Sequence, residues 1–159
     1  MAFSTYLAGP EVFLENAKAI GEAKCRICDE YGLKGVFPLD KALDLAGLSP
    51  EEAGLAIYRA NRELMDGCDL VIANMTPFRG PSMDVGTAFE MGYMRGLGRP
   101  VFGYSNVAGD YLARVEAFYQ GGLSSTSGHT LDPNGMTVEP FRLADNLMLE
   151  GAVRDFGTP

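Results

Sequence analysis

The sequence has 159 residues, 47% of them hydrophobic, which suits a single domain over residues 1–159 with a sizeable core. Its formal net charge of −8 argues against binding nucleic acid or an anionic membrane surface, which both need a basic patch, and no apolar run is long enough to span a bilayer. The N-terminus runs straight into a strand pattern with no leader, and three cysteines suit a reducing compartment, so a cytoplasmic location is expected.

Phe3 to Ala8 reads as the first strand, ending at Gly9-Pro10. Gly9 allows backbone to come close to a ligand, and Pro10 cannot extend a helix backward. Phe13, Ala17, Ile20, Ala23 and Ile27 recur at helical spacing and predict a helix from Val12 to Tyr31, closed by Gly32. Cys25 and Cys28 form a C-x-x-C within it. With no strand just before them and no second Cys/His pair, they read as helix cysteines, not a redox or metal pair. A short strand, Gly35 to Leu39, leads into Asp40, and Lys41 to Leu48 is irregular. Ser49-Pro50-Glu51-Glu52 is a capping box with proline at the first helical position, opening a helix to Asp66. Asn61 lies close to its apolar stripe, as either a surface amide or a ligand contact.

Leu70-Val71-Ile72-Ala73 reads as a fully buried strand. A turn-rich loop, Thr76 to Met83, follows, then a helix from Val85 to Arg95 and a strand from Pro100 to Tyr104. Tyr111 to Tyr119 reads as a short helix. Gln120 to Asn134 lacks periodicity and reads as a surface loop, with His129, the only histidine, a loop residue in it. Met136 to Leu143 offers a fifth strand, and Asn146 to Val153 a last helical turn or two.

This order predicts an α/β fold, a flavodoxin-like doubly wound sandwich with a five-stranded parallel sheet. Ligands of such sheets bind at the carboxyl edge, where Tyr6, Gly9, Asp40, Asp84 and Glu90 would gather. The chain lacks a Walker A and a G-x-G-x-x-G, so neither ATP nor a dinucleotide is favoured, and no cofactor or metal is expected.

Asp84 stands at the loop-to-helix junction and Glu90 in the second turn. Six residues of helix rotate through about 600°, so the two converge only if Asp84 belongs to the loop and folds back over the helix start. Gly86, four residues before Glu90, leaves the space beside it empty. Two readings stay open: a substrate-facing pair, or a helix cap and a solvated acid.

Tyr6-Leu7-Ala8-Gly9-Pro10, Asp84-Val85-Gly86-Thr87-Ala88-Phe89-Glu90-Met91-Gly92-Tyr93 and Asn146-Leu147-Met148 together resemble the nucleoside 2-deoxyribosyltransferase family, in order and spacing over nearly the whole chain. The resemblance implies movement of 2-deoxyribose between nucleobases through a covalent deoxyribosyl-enzyme. Glu90 matches the nucleophile, its ionised form favoured by its helix's positive end. Tyr6 matches the tyrosine whose hydroxyl holds the nucleophile, and Asp84 the acid that contacts the base and exchanges its proton. Phe13 falls where an aromatic contacts the base. Asn61 stands where many members carry an aspartate, so it can hydrogen-bond a base but not protonate it. Asn146 and Met148 match a pair that reaches into a neighbouring subunit's site toward the sugar 5′-hydroxyl, which implies a homo-oligomer with shared sites. The pair alone reads as a helix-terminal amide and a core methionine.

Two other functions fit the same fold. An N-glycoside hydrolase of nucleosides or deoxynucleoside 5′-monophosphates would share the first step. In the monophosphate hydrolases a serine replaces Asp84, so its presence here favours nucleosides. A non-catalytic nucleobase-binding module would leave deoxynucleosides unchanged.

Overall fold

Four strands form a parallel sheet at the centre: β1 (Phe3–Ala8), β2 (Leu33–Val36), β3 (Leu70–Asn74) and β4 (Val101–Tyr104), in the order β2-β1-β3-β4. The computed structural model describes residues 2–40 and 42–154. Lys41, which opens the irregular 41–48 stretch, lies outside the described residues, as do Met1 and 155–159 of the predicted domain. Five helices accompany the sheet among the described residues: α1 (Ala17–Glu30), α2 (Pro50–Asp66), α3 (Val85–Gly96), α4 (Tyr111–Phe118) and α5 (Leu147–Arg154).

Strand alternation divides the core in two. Tyr6 and Ala8 of β1 face a cluster with Val71, Ala73 and Val101, closed by Met65 of α2, Met91 and Met94 of α3 and Val153 of α5. Leu7 faces the other way, onto Cys28 of α1 and Phe37. Helices therefore cover both faces, as a parallel sheet requires. Winding reverses between the adjacent strands β1 and β3, which places the crevice for a ligand beyond Ala8 and Asn74.

Several local expectations hold. Ser49 Oγ accepts the Glu52 N–H at 3.3 Å, and Glu52 Oε2 accepts the Ser49 N–H at 2.8 Å, completing the capping box. The Arg99 guanidinium donates to the Met65 and Asp66 carbonyls at the other end of α2. Cys28 is buried on α1, and burial pushes its thiol and that of Cys25 up.

Other expectations are corrected. The helix predicted from Val12 is split: Pro10–Phe13 is a 3-10 turn and α1 begins only at Ala17. The buried face is Ala17, Gly21 and Cys28, while Phe13 and Ile27 are exposed. A Cβ at Gly21 would lie 2.4 Å from the Phe37 ring, so the smallest residue sets the stripe. Leu70 and Ile72 are half-buried, because the α1 face of β3 is covered less fully than the α3 face. The five-strand sheet is a four-strand sheet among the described residues, since 136–143 contributes only a bridge between Leu131 and Thr137. The 120–134 loop contains an antiparallel hairpin, β5 (Ser124–Thr126) with β6 (His129–Leu131), and His129 is exposed on it.

Met91 is fully buried between α3 and the sheet. Met91→Ala should lower the unfolding free energy by about 2–5 kcal/mol, read from urea midpoints at unchanged denaturant slope.

Candidate active site

The pair that organises the site joins a strand to a helix. Tyr6 is fully buried in β1, and its hydroxyl donates to Glu90 Oε1 at 2.6 Å. Met91 and Met94 anchor α3 in the same cluster, which fixes where Glu90 stands. Burial, and then the charge of Glu90, push the Tyr6 phenol far up, so it remains a donor at any ordinary pH. Glu90 is pushed up to about 7. Burial is the main cause, the Tyr6 bond acts against it, and the charge of Asp84 adds to it. The preference of a helix N-terminus for an anion, worth roughly 0.3–1 kcal/mol, is outweighed by desolvation here.

Asp84 is the helix cap that one of the two open readings expects. It is the N-cap of α3, in extended conformation, and its Oδ2 accepts the Thr87 N–H at 2.8 Å and the Thr87 hydroxyl at 3.0 Å. The cap also brings its carboxylate close enough to act on Glu90. Because these capping bonds use Oδ2, Oδ1 is the atom left for a ligand. A Cβ at Gly86 would lie 3.0 Å from Asp84 Oδ2 and otherwise meet open space. Gly9 differs from expectation: a Cβ there would lie 2.1 Å from Glu11 Oε2 and 2.9 Å from the Asn74 Cβ, so a protein acid fills the space expected for a ligand.

Phe13 and Asn61 line one recess of 440 Å³ with Val12, Leu39, Leu43 and Ile57. Its lining is apolar apart from the Asn61 amide. Phe13 stacks on Phe78 at 5.2 Å, and the Arg79 guanidinium lies over both rings. Tyr58 of α2 meets Phe89 of α3 at 6.1 Å, which sets the Asn61 helix beside the Glu90 helix. Asp40 is not brought there. Its Oδ2 accepts the Phe37 N–H at 2.7 Å, closing the turn after β2, and it lines a separate cavity with Lys18 and Glu22. Asn146 caps α5: its Oδ1 accepts the Met148 N–H at 3.0 Å and its Nδ2 donates to Glu139. Met148 is 73% exposed, so it is not a core methionine. Neither residue bonds to Tyr6, Asp84 or Glu90 among the described residues.

The profile of the nucleoside 2-deoxyribosyltransferase family matches residues 5–148, a span that holds Tyr6, Asp84, Glu90 and the Asn146–Met148 pair. The chain belongs to this family. A 2-desoxiribosyltransferase from Leishmania mexicana is similar over 92% of this chain and 85% of its own, with a TM-score of 0.69 and 28% identity. A conserved protein from Enterococcus faecalis shares the fold over 97% of this chain and 87% of its own, at 20% identity and a TM-score of 0.54. An uncharacterized protein of Schizosaccharomyces pombe is 35% identical, covering 96% of this chain and 77% of the relative.

Sequence reasoning passed over two supports of this candidate site. Asp145, 2% exposed, accepts from the Ser82 hydroxyl, from the Met83 N–H at 2.9 Å and from the Asn146 N–H at 2.8 Å, and pairs with Arg114 at 3.5 Å. Arg114 also donates to the Pro81 carbonyl at 2.8 Å and to the Ala144 carbonyl. The loop before Asp84 is thus clasped to residues about sixty positions later, and nothing local signals such a bond. Glu11, the second support, could have been found as an acid directly after a strand-ending Gly-Pro.

Linkage follows from the raised Glu90 carboxyl. The folded chain holds that proton more tightly than the unfolded chain, so the contribution of Glu90 is fully present below about 4.5 and is lost as pH rises through about 7. Glu90→Gln should therefore be more stable than the parent at pH 8 by roughly 1–3 kcal/mol, with the gap closing near pH 4.5. Chemical denaturation at the two pH values checks this.

Proposed function

We propose that this single-domain chain is a nucleoside 2-deoxyribosyltransferase that moves 2-deoxyribose between nucleobases through a covalent glutamyl-deoxyribosyl intermediate. The observation that carries the reading is the 2.6 Å Tyr6–Glu90 bond with the Asp84 carboxylate beside it. Ionised Glu90 attacks the anomeric carbon as the bond to the base breaks, and Asp84, which enters this step protonated, gives that proton to the departing base. An incoming base then attacks the same carbon, breaks the ester to Glu90 and returns a proton to Asp84. Two inversions give net retention. Tyr6, always a donor, orients Glu90 without competing for its attack. The oxocarbenium-like transition state is stabilised by a carboxylate held in a poorly solvated site.

In this reading the base lies against Phe13 and Asn61, and the sugar lies over Glu90, beside Gly86. A 2′-hydroxyl would withdraw electrons from the oxocarbenium, so 2′-deoxynucleosides are preferred to ribonucleosides. Exposed Met148 on α5, with Asn146 at the start of that helix, would complete the site of a neighbouring copy in a cytoplasmic homo-oligomer. No cofactor is required.

Incubation of 2′-deoxyinosine with adenine, followed by chromatography, should yield 2′-deoxyadenosine in excess of free deoxyribose. A dominance of free sugar would make the protein a hydrolase, and unchanged substrate a binding module. Glu90→Ala should lose several orders of magnitude in rate. A 2-fluoro arabinosyl nucleoside should leave its sugar on Glu90, detected by peptide mass spectrometry, and the labelling rate should climb as pH rises toward about 7.

Asp84→Asn keeps a good N-cap and should leave stability within about 0.5 kcal/mol. Its rate on deoxynucleosides should fall by roughly 10²–10⁴. A nitrophenyl deoxyriboside, whose leaving group needs no proton, should be affected far less. Equal losses on both substrates would reduce Asp84 to a binding role.

A further inference from the structure

Glu11 takes no part in the chemistry above, yet it is a buried acid at the carboxyl end of the sheet. It sits in the 3-10 turn after β1. Its Oε1 receives donors from three other elements: the Lys24 ammonium of α1, the Asn74 amide at the end of β3 at 2.8 Å, and the Tyr104 hydroxyl at the end of β4 at 3.3 Å. Asn74 Oδ1 in turn accepts the Thr76 N–H at 3.0 Å and the Thr76 hydroxyl, and Thr76 Oγ1 accepts the Asn106 N–H at 3.0 Å.

The carboxylate is both charged and wedged. Burial pushes it up, but the bonds from Lys24 and Asn74 outweigh burial and hold it below the usual carboxylate range. Its Oε2 is buried without a partner among the described residues and fills the space beside Gly9.

Two connections consequently join the β1 turn to the β3 loop. Glu11, Asn74 and Thr76 link them at the base. The Phe13–Phe78 stack, with Arg79 over it, links them at the tip. Phe13 is a wall of the recess, and the β3 loop delivers Asp84. Glu90 and Tyr6, by contrast, are set by the core on the α3 face of the sheet.

We propose that Glu11 is a positioning residue for the base half of the site, fixing the Phe13 wall and the Asp84 loop relative to each other for a leaving group that is a heterocyclic base. The inference rests on the deoxyribosyl reading above and deepens it. The sugar half, Glu90 with Tyr6, is independent of Glu11. Loss of its charge separates the two halves kinetically.

The test compares Glu11→Ala and Glu11→Gln with the parent. KM for 2′-deoxyinosine should rise about tenfold or more in Glu11→Ala and less in Glu11→Gln, which keeps the volume. The kcat for a nitrophenyl deoxyriboside should stay within about threefold of the parent. Hydrogen exchange at the Leu14 and Thr76 amides should quicken by about tenfold, with the β1 and β3 amides unchanged. Equal losses on both substrates, an unchanged KM, or exchange quickened throughout the sheet would overturn the proposal. Failure of both variants to fold would also overturn it, leaving Glu11 as a structural residue. If the parent itself turns over no deoxyriboside, the proposed reaction fails, and the exchange map still decides what Glu11 positions.

Discussion

A carboxylate half-buried beside a fully buried phenol is the constraint on which the rest of the architecture turns. Glu90 can stand there only because α3 is pinned by Met91 and Met94, and because Tyr6 offers a donor that never loses its proton. The burial that raises its carboxyl to about 7 leaves that carboxyl poorly solvated. Stability is given up at this point, and two apolar clusters on opposite faces of the sheet offset the loss.

Asp84 shows how a helix start can hold an acidic side chain in place. As a cap it satisfies the orphan donor of Thr87, and that duty fixes its rotamer. A carboxylate on a free loop would have to be ordered by the substrate. This one is ordered by the fold, as sites on rigid elements are. The clasp through Asp145 and Arg114 extends the same logic one layer outward, by holding the loop that leads to the cap.

The sequence showed best what is local. β1, β3 and α3 follow from apolar runs and turn residues, and the Ser49 box from four adjacent residues. The pairing of Tyr6 with Glu90 was legible only through the family's spacing. What failed depended on distant partners. The start of α1 shifted because Pro10–Phe13 turns Glu11 inward to meet Lys24, Asn74 and Tyr104. Asp40 looked like an edge ligand but closes its own turn. Met136 to Leu143 has strand composition but only a single bridge nearby to pair with. An ionised Glu90 was expected from the helix end, but burial, which sequence does not reveal, raises its carboxyl to about 7.

The Asp145 clasp has a consequence for how the protein is made. Synthesis delivers the loop of Ser82, Met83 and Asp84 well before Asp145, so the nascent chain exposes that loop without its anchor. The sheet can be complete at Tyr104 while the acid's loop is still untied. Closure of the 82–84 loop therefore waits until the stretch that carries Asp145, about sixty residues later, folds back onto it.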